Sequence, residues 1–322
     1  MAMSDPATPD PIKNLGRGHS KQQKLLRYAT YASAATASLL IATKVGAWIL
    51  TDSVAMLSSL IDSMLDLVAS LITLFAVRQA MVPADSEHRF GHGKAEPLAA
   101  LAQSGFIAGS ALLLLVEAID RLFAPQPVQE TTIGIAVMVF SIVATLALVL
   151  FQRYVISRSS SVAVTADSAH YKADLYANLG VIAALIVAGT FDMPLVDPLF
   201  GIAIAGFIAY GAWQVGTESF QMLMDHELPD EDRERIRAIA LAYPDVLGVH
   251  DLRSRKSGPD TFIQMHLDFN GHLSLNRAHT TADAVEKEIM EAFPGAEVFV
   301  HQDPASTTTD MPTDPESENV KP

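Results

Sequence analysis

Ile61-Asp62-Ser63-Met64-Leu65-Asp66 and, further along, His170-Tyr171-Lys172-Ala173-Asp174 decide how this sequence folds. Each stretch carries two metal-type ligands four residues apart, within or at the start of an apolar run. On a helix that spacing stacks both side chains on one face, about 6 Å apart. Two such faces opposed present three carboxylates and an imidazole to one point, an oxygen/nitrogen set suited to a tetrahedral divalent cation. Both apolar runs are long enough to cross a bilayer, where bare charges cost several kcal/mol unless something compensates. A bound cation compensates.

The composition agrees with a membrane class. The 322-residue chain is 50% hydrophobic and only 18% charged, well on the apolar side of soluble domains. There are no cysteines, which excludes disulfides, thiolate metal sites and cysteine nucleophiles together. Any transition metal must be held by His, Asp and Glu. A formal charge of -14 with no Lys/Arg-rich face argues against a nucleic-acid partner. Met1 to Gly18 is polar and has no signal-peptide core, so residues 1–24 read as a cytoplasmic arm.

A spanning helix needs about 20 apolar residues, and the sequence predicts six. Tyr28–Leu50 is interrupted only by Lys44, and Val54–Val77 only by Asp62 and Asp66; Thr51-Asp52-Ser53 joins them as a hairpin. Pro97–Val116 and Thr131–Phe151 are uncharged. Val162–Phe191 and Asp197–Thr217 follow, joined at Asp192-Met193-Pro194. Lysines and arginines gather in the N-terminal arm (Lys13, Arg17, Lys21, Lys24, Arg27), the second connection (Arg78, Arg89, Lys94) and the fourth (Arg153, Arg158), whereas the opposite connections offer only Arg121. Both termini are therefore expected in the cytoplasm. Lys44 is expected to snorkel outward past Trp48, and Gly105 and Gly109 to form a close-packing face.

Residues 25–224 thus form a six-span bundle, and the composition changes near Leu228. Pro229-Asp230-Glu231 opens a helix running to about Ala242. Val246–Arg255 and Thr261–Phe269 read as strands around a Lys256–Pro259 turn, followed by a helix over Leu275–Phe293 and a strand over Glu297–His301. This αββαβ order, over residues 225–304, predicts a small two-layer α+β domain of ferredoxin or metallochaperone type. Residues 305–322 are an acidic, polar tail expected to be disordered.

Two further clusters carry metal chemistry. Asp85, His88 and His92 lie in the second connection, with Gly91 and Gly93 permitting a tight backbone. In the soluble domain His250, His266, His279, His301 and Asp303 are spread over strands and helix, enough for two metals with Asp303 bridging them. Lys94 and Asp225 fall at the cytoplasmic ends of the third and sixth spans, where an ion pair would act as a hinge. Asn178 lies one turn beyond Asp174 on the same face.

These motifs resemble the cation diffusion facilitators over about Leu26 to Pro304. The resemblance rests on Ser58-Ser59-Leu60-Ile61-Asp62-Ser63-Met64-Leu65-Asp66, Phe90-Gly91-His92-Gly93-Lys94-Ala95-Glu96, Asp167-Ser168-Ala169-His170-Tyr171-Lys172-Ala173-Asp174, His250-Asp251-Leu252-Arg253-Ser254-Arg255 and His301-Gln302-Asp303-Pro304. It implies a transport site at Asp62, Asp66, His170 and Asp174 and a lesser site at Asp85, His88 and His92. It also implies a binuclear cytoplasmic site from His250, His266, His279, His301 and Asp303, and a Lys94–Asp225 interlock at the hinge of a homodimer. Lys172 departs from the pattern and is expected to face away from the ligands. The quartet is similar to that of members handling Zn2+, Cd2+ and Fe2+.

Such a protein is expected to be no enzyme but a proton-coupled efflux transporter of the inner membrane. Its partners are divalent ions, protons, the bilayer and a second copy, and it needs no catalytic cofactor. Metal and protons compete for the same ligands, and a site inside the bundle suits alternating access. A membrane-embedded metal hydrolase is the first rival, but the chain has no His-Glu-x-x-His and no Ser or Thr beside an evident base. A metal sensor merely anchored by its spans is the second, and buried ligands have no use in an anchor.

Overall fold

The computed structural model describes residues 11–51, 54–123, 132–159, 161–191 and 196–305. Six long helices come first: α1 (Pro11–Thr51), α2 (Val54–Ala80), α3 (Ala95–Phe123), α4 (Thr132–Ile156), α5 (Val162–Phe191) and α6 (Val196–Leu223). Among the described residues, five of them contain stretches long and apolar enough to cross a membrane, namely Gln22–Thr51, Ser59–Ala80, Ala95–Phe123, Ile133–Ile156 and Pro198–Leu223. α5 is as long, with Asp167, His170, Lys172 and Asp174 gathered in its first half. α1 begins well before the apolar run, because Pro11 suits a first helical position and no later proline interrupts it. Asp52, Ser53, residues 192–195 and the tail from 306 onward lie outside the described residues, and with them both expected hairpin turns.

α5 lies centrally among the spans. Its Ala163 and Val164 pack with Leu26 and Ala29 of α1, Val77 of α2 and Val155 of α4. Ala173 packs with Ile107 and Ala111 of α3 and Ile208 and Ala212 of α6. Tyr171 rests against Leu148 and Val149 of α4. A helix surrounded in this way can bury polar groups that a lipid-facing helix would expose, which is the condition for holding a charged cargo within the bundle. The expected Gly105/Gly109 face is not where helices meet closely: a methyl at either would touch nothing within 4 Å. Close approach occurs instead at Gly180, where an added Cβ would fall 1.9 Å from Ile204 Cδ1, and at Gly201, 2.9 Å from Ala118 Cβ.

The chain divides by contacts between Leu223 and Met224. The second unit runs α7 (Asp230–Leu241), β1 (Val246–Ser257), β2 (Asp260–Phe269), α8 (Leu275–Ala292) and β3 (Ala296–Pro304). Its first helix carries Asp230, Glu231 and Asp232 in the opening turn, favourable to the helix dipole. Ser274 caps α8 by accepting from Arg277 N. β1 and β2 are antiparallel and extend further than expected, shrinking the hairpin loop to Gly258 and Pro259, with Gly258 at φ 60°. β3 runs parallel to β2, giving the order β1-β2-β3. Alternation along β2 turns Ile263, Met265, Leu267 and Phe269 toward Ile236, Ala240, Ala278, Val285 and Ile289 of the helices. Gln264, His266 and Asp268 consequently take the other face.

Candidate metal centres

In the membrane unit, α2 and α5 meet through a ladder of side-chain contacts. His170 Nε2 lies 3.0 Å from Asp66 Oδ1 and 3.7 Å from Asp174 Oδ2. His170 is buried, and Asp66 and Asp174 are half-buried. Tetrahedral bonds of about 2.1 Å hold ligand atoms about 3.4 Å apart; the two contacts to His170 bracket that spacing, and all three ligand atoms lie within 4.8 Å of one another. Asp62 stands one turn earlier on α2, exposed and outside this group. Contact between α2 and α5 runs from Asp66 to Val77, whereas the turn carrying Ser59 and Ser63 faces α1.

What it faces there corrects one expectation. Lys44 does not snorkel outward: its ammonium donates to Ser63 Oγ at 2.7 Å and to Ser59 O at 3.0 Å. A partly buried ammonium is better satisfied by these oxygens, beside acids, than by a stretched stem. Lys172 is half-buried. Asp167, which has no assigned role in its motif, is 1% exposed and accepts from Ser33 Oγ at 2.6 Å and Gln152 Nε2 at 2.7 Å. Its signal was present, because 167, 170 and 174 share a helical face.

The second cluster, in the connection after α2, is brought together as expected. Asp85 Oδ2 is 3.4 Å from His92 Nε2 and Asp85 Oδ1 is 3.6 Å from His88 Nδ1, with the two rings 4.6 Å apart. Gly91, at φ 78°, allows the loop to turn back. The His88 and Glu87 amides donate to Asp85 at 2.7 and 2.9 Å and hold its carboxyl below the usual carboxylate range. A depressed value stabilises the turn above the ordinary carboxylate pKa and is lost only as pH falls through the lower folded value. Protection of the His88 amide is therefore expected to persist through about pH 4 and disappear below it; loss at or above that pH, followed by hydrogen exchange, contradicts this.

The third cluster occupies the sheet face turned from the helices. His250, His266 and His301 sit side by side in register across the three strands. Asp303 Oδ2 lies 2.7 Å from His266 Nδ1 and 3.5 Å from His250 Nε2, while its Oδ1 lies 3.1 Å from His301 Nε2. One carboxylate thus addresses two sides, as a bridging ligand does. Two acids missed in the sequence complete the surroundings. Asp268 Oδ2, 3.2 Å from His250 Nδ1, orients that ring; its two-residue spacing from His266 was the available signal. Asp251 Oδ2 is 3.8 Å from His266 Nε2. Simple alternation would put Asp251 opposite His250, but a register break between His250 and Arg253, with Asp251 at φ 47°, turns both to one side.

His279 is not brought into this cluster. It lies on α8, exposed, with Nδ1 3.5 Å from Asp283 Oδ1. The sheet intervenes, because α8 packs on the opposite face. Lys94 donates to Leu223 O at 3.4 Å within the membrane unit, and Asp225, at φ 57°, pairs with Arg255 at 3.2 Å within the other.

Residues 30–224 match the family described as the cation efflux transmembrane domain, and residues 228–305 match the cation efflux protein cytoplasmic domain. A cation-efflux pump FieF from Shewanella oneidensis is 49% identical over 279 residues, covering 87% of this chain and 94% of its own. A FieF pump from Klebsiella pneumoniae is 46% identical over 283 residues, covering 88% and 94%. The metal-bound C-terminal domain of the CzcD transporter from Thermotoga maritima is 26% identical, spans 24% of this chain and 93% of its own, and has a TM-score of 0.23.

Proposed function

This chain belongs to the cation efflux family, the cation diffusion facilitators, and from that we propose that it exports Zn2+, or a similar ion such as Fe2+ or Cd2+, in exchange for protons. The observation that carries this reading is the Asp66–His170–Asp174 group, three ligand atoms within 4.8 Å of one another at the seam of two helices. Ligands release protons when metal binds and recover them when it leaves. An ion loaded from the cytoplasm and released outside while protons return gives efflux driven by the proton gradient. Asp62, on the same face of α2, supplies the fourth ligand, a third oxygen, when the ion is held.

The rest of the chain supports that cycle. Residues 1–24 form a cytoplasmic arm, 25–224 the transport domain, 225–304 a metal-binding domain and 305–322 an acidic tail. Both termini face the cytoplasm at the inner membrane. His250, His266, His301 and Asp303 bind regulatory metal and His279 joins such a set across the interface of a homodimer, since its own chain holds it on the wrong side of the sheet. Asp85, His88 and His92 bind a further ion, and Lys94 with Asp225 forms the hinge. The chain catalyses no covalent reaction and needs no cofactor for one.

The test is metal uptake into vesicles reconstituted with the purified protein, with inside and outside pH set independently and Zn2+, Fe2+ and Cd2+ competing. Zinc movement against an opposing proton gradient, with matched proton counterflow, is the expected result. Zinc flux indifferent to the pH difference removes the exchange mechanism, and no flux removes the transport reading.

A further inference from the structure

We infer that Asp167 is a positioning residue for the transport site: its carboxylate gathers α1, α2 and α4 onto α5 and so fixes the register at which Asp66 meets His170 and Asp174. The inference rests on the reading of that group as the transport site. Asp167 is 1% exposed and its partners Ser33, Ser70 and Gln152 are each 0% exposed. It takes one contact from each of three neighbouring helices, from Ser33 Oγ of α1 at 2.6 Å, Ser70 Oγ of α2 at 3.4 Å and Gln152 Nε2 of α4 at 2.7 Å. The partners are linked among themselves. Gln152 Nε2 also donates to Ser33 Oγ at 3.0 Å, Ser70 Oγ lies 2.8 Å from Tyr171 Oη, and that hydroxyl donates to Ser33 O at 3.4 Å.

Buried polar groups are costly unless satisfied, so a network spanning four helices is costly to leave half-made. Its position gives it a function beyond adhesion. Ser70 is one turn from Asp66 on α2, and Asp167 one turn from His170 on α5. The Ser70–Asp167–Tyr171 contacts are thus the rung adjacent to the Asp66–His170 rung on the same seam. A slip of α2 along α5 by one residue, about 1.5 Å, breaks the first and draws Asp66 off His170. Outer partners that orient metal ligands are worth about ten- to a hundredfold in affinity, and a tie between two ligand-bearing helices acts in the same way.

The role is geometric, which makes it separable from a general structural one. Asp167→Ala is expected to raise the KM for zinc in reconstituted vesicles about tenfold or more while leaving the saturating rate near wild type. Asp167→Asn should recover most of the affinity: Ser33 and Ser70 donate to different carboxylate oxygens, so the amide can keep its oxygen toward Ser70 and place its nitrogen beside Gln152, whose Oε1, unpartnered in the structure, can turn to accept from it. Ser70→Ala cuts the α2 tie alone and is expected to raise the KM in the same direction. If Asp167→Ala does not assemble, Ser70→Ala decides. A wild-type KM in folded Asp167→Ala, or in Ser70→Ala, overturns the inference, as does an Asn variant no better than Ala. Asp66→Asn runs alongside: if it too keeps the wild-type KM, the transport-site reading has failed, whereas its failure to bind beside a normal Asp167→Ala defeats the positioning role only.

Discussion

With alanine in place of Asp66, zinc export from reconstituted vesicles is expected to fall at least about a hundredfold in kcat/KM, as removing one member of a buried charged pair costs about 3–5 kcal/mol. Asp66 contributes the 3.0 Å contact to His170, shorter than the 3.7 Å contact from Asp174 on the imidazole's own helix. It is also the α2 ligand already gathered with His170 and Asp174 in the structure, so its loss leaves a histidine and an acid of one helix together, with Asp62 outside their reach on α2. Equilibrium zinc binding to the same variant should retain the ions held by Asp85, His88 and His92 and by the sheet cluster, since neither shares a residue with it. Export within threefold of wild type rules out Asp66 as a ligand.

The second large effect concerns stability of the cytoplasmic unit. Ile263 on β2 is 0% exposed and packs in the single cluster formed with α7 and α8. Ile263→Ala is expected to cost about 2–5 kcal/mol, the loss of transfer energy plus the unfilled volume. Because β2 is the middle strand, its amides open by unfolding of the unit, and their exchange in the full-length protein should quicken by roughly 30-fold or more. His266 projects to the opposite face of the same strand, so zinc binding should weaken through the reduced folded population and not through lost ligands. Exchange rates unchanged within threefold contradict the assigned core.

Much of this architecture was legible in the residues. The apolar windows placed the six long helices, and an acidic helix start at Pro229-Asp230-Glu231 with a Gly-Pro turn between two strands placed αββαβ in the correct order. Paired i, i+4 ligands led to the junction of α2 and α5. What escaped required knowledge of neighbours. Lys44 carries no local sign of whether its stem bends to lipid or to Ser63; only the position of α2 decides. Asp251 reaches His266 through a bulge that no alternation rule yields, and His279 was grouped with ligands from which its own sheet separates it. Asp167 was visible as a repeat of the ligand face, but a carboxylate whose partners are two serines and a glutamine on three other helices gives no signature in its own segment.

The glycines at 180 and 201 have a consequence for motion. Where α5 meets α6 and where α6 meets α3, backbone lies against an isoleucine tip and an alanine methyl, so the helix axes come close at both places. An isoleucine tip can turn aside for a larger neighbour, but Ala118 offers a short methyl with nowhere to retreat, so bulk added at Gly201 must prise α6 away from α3 and hinder any sliding of one along the other.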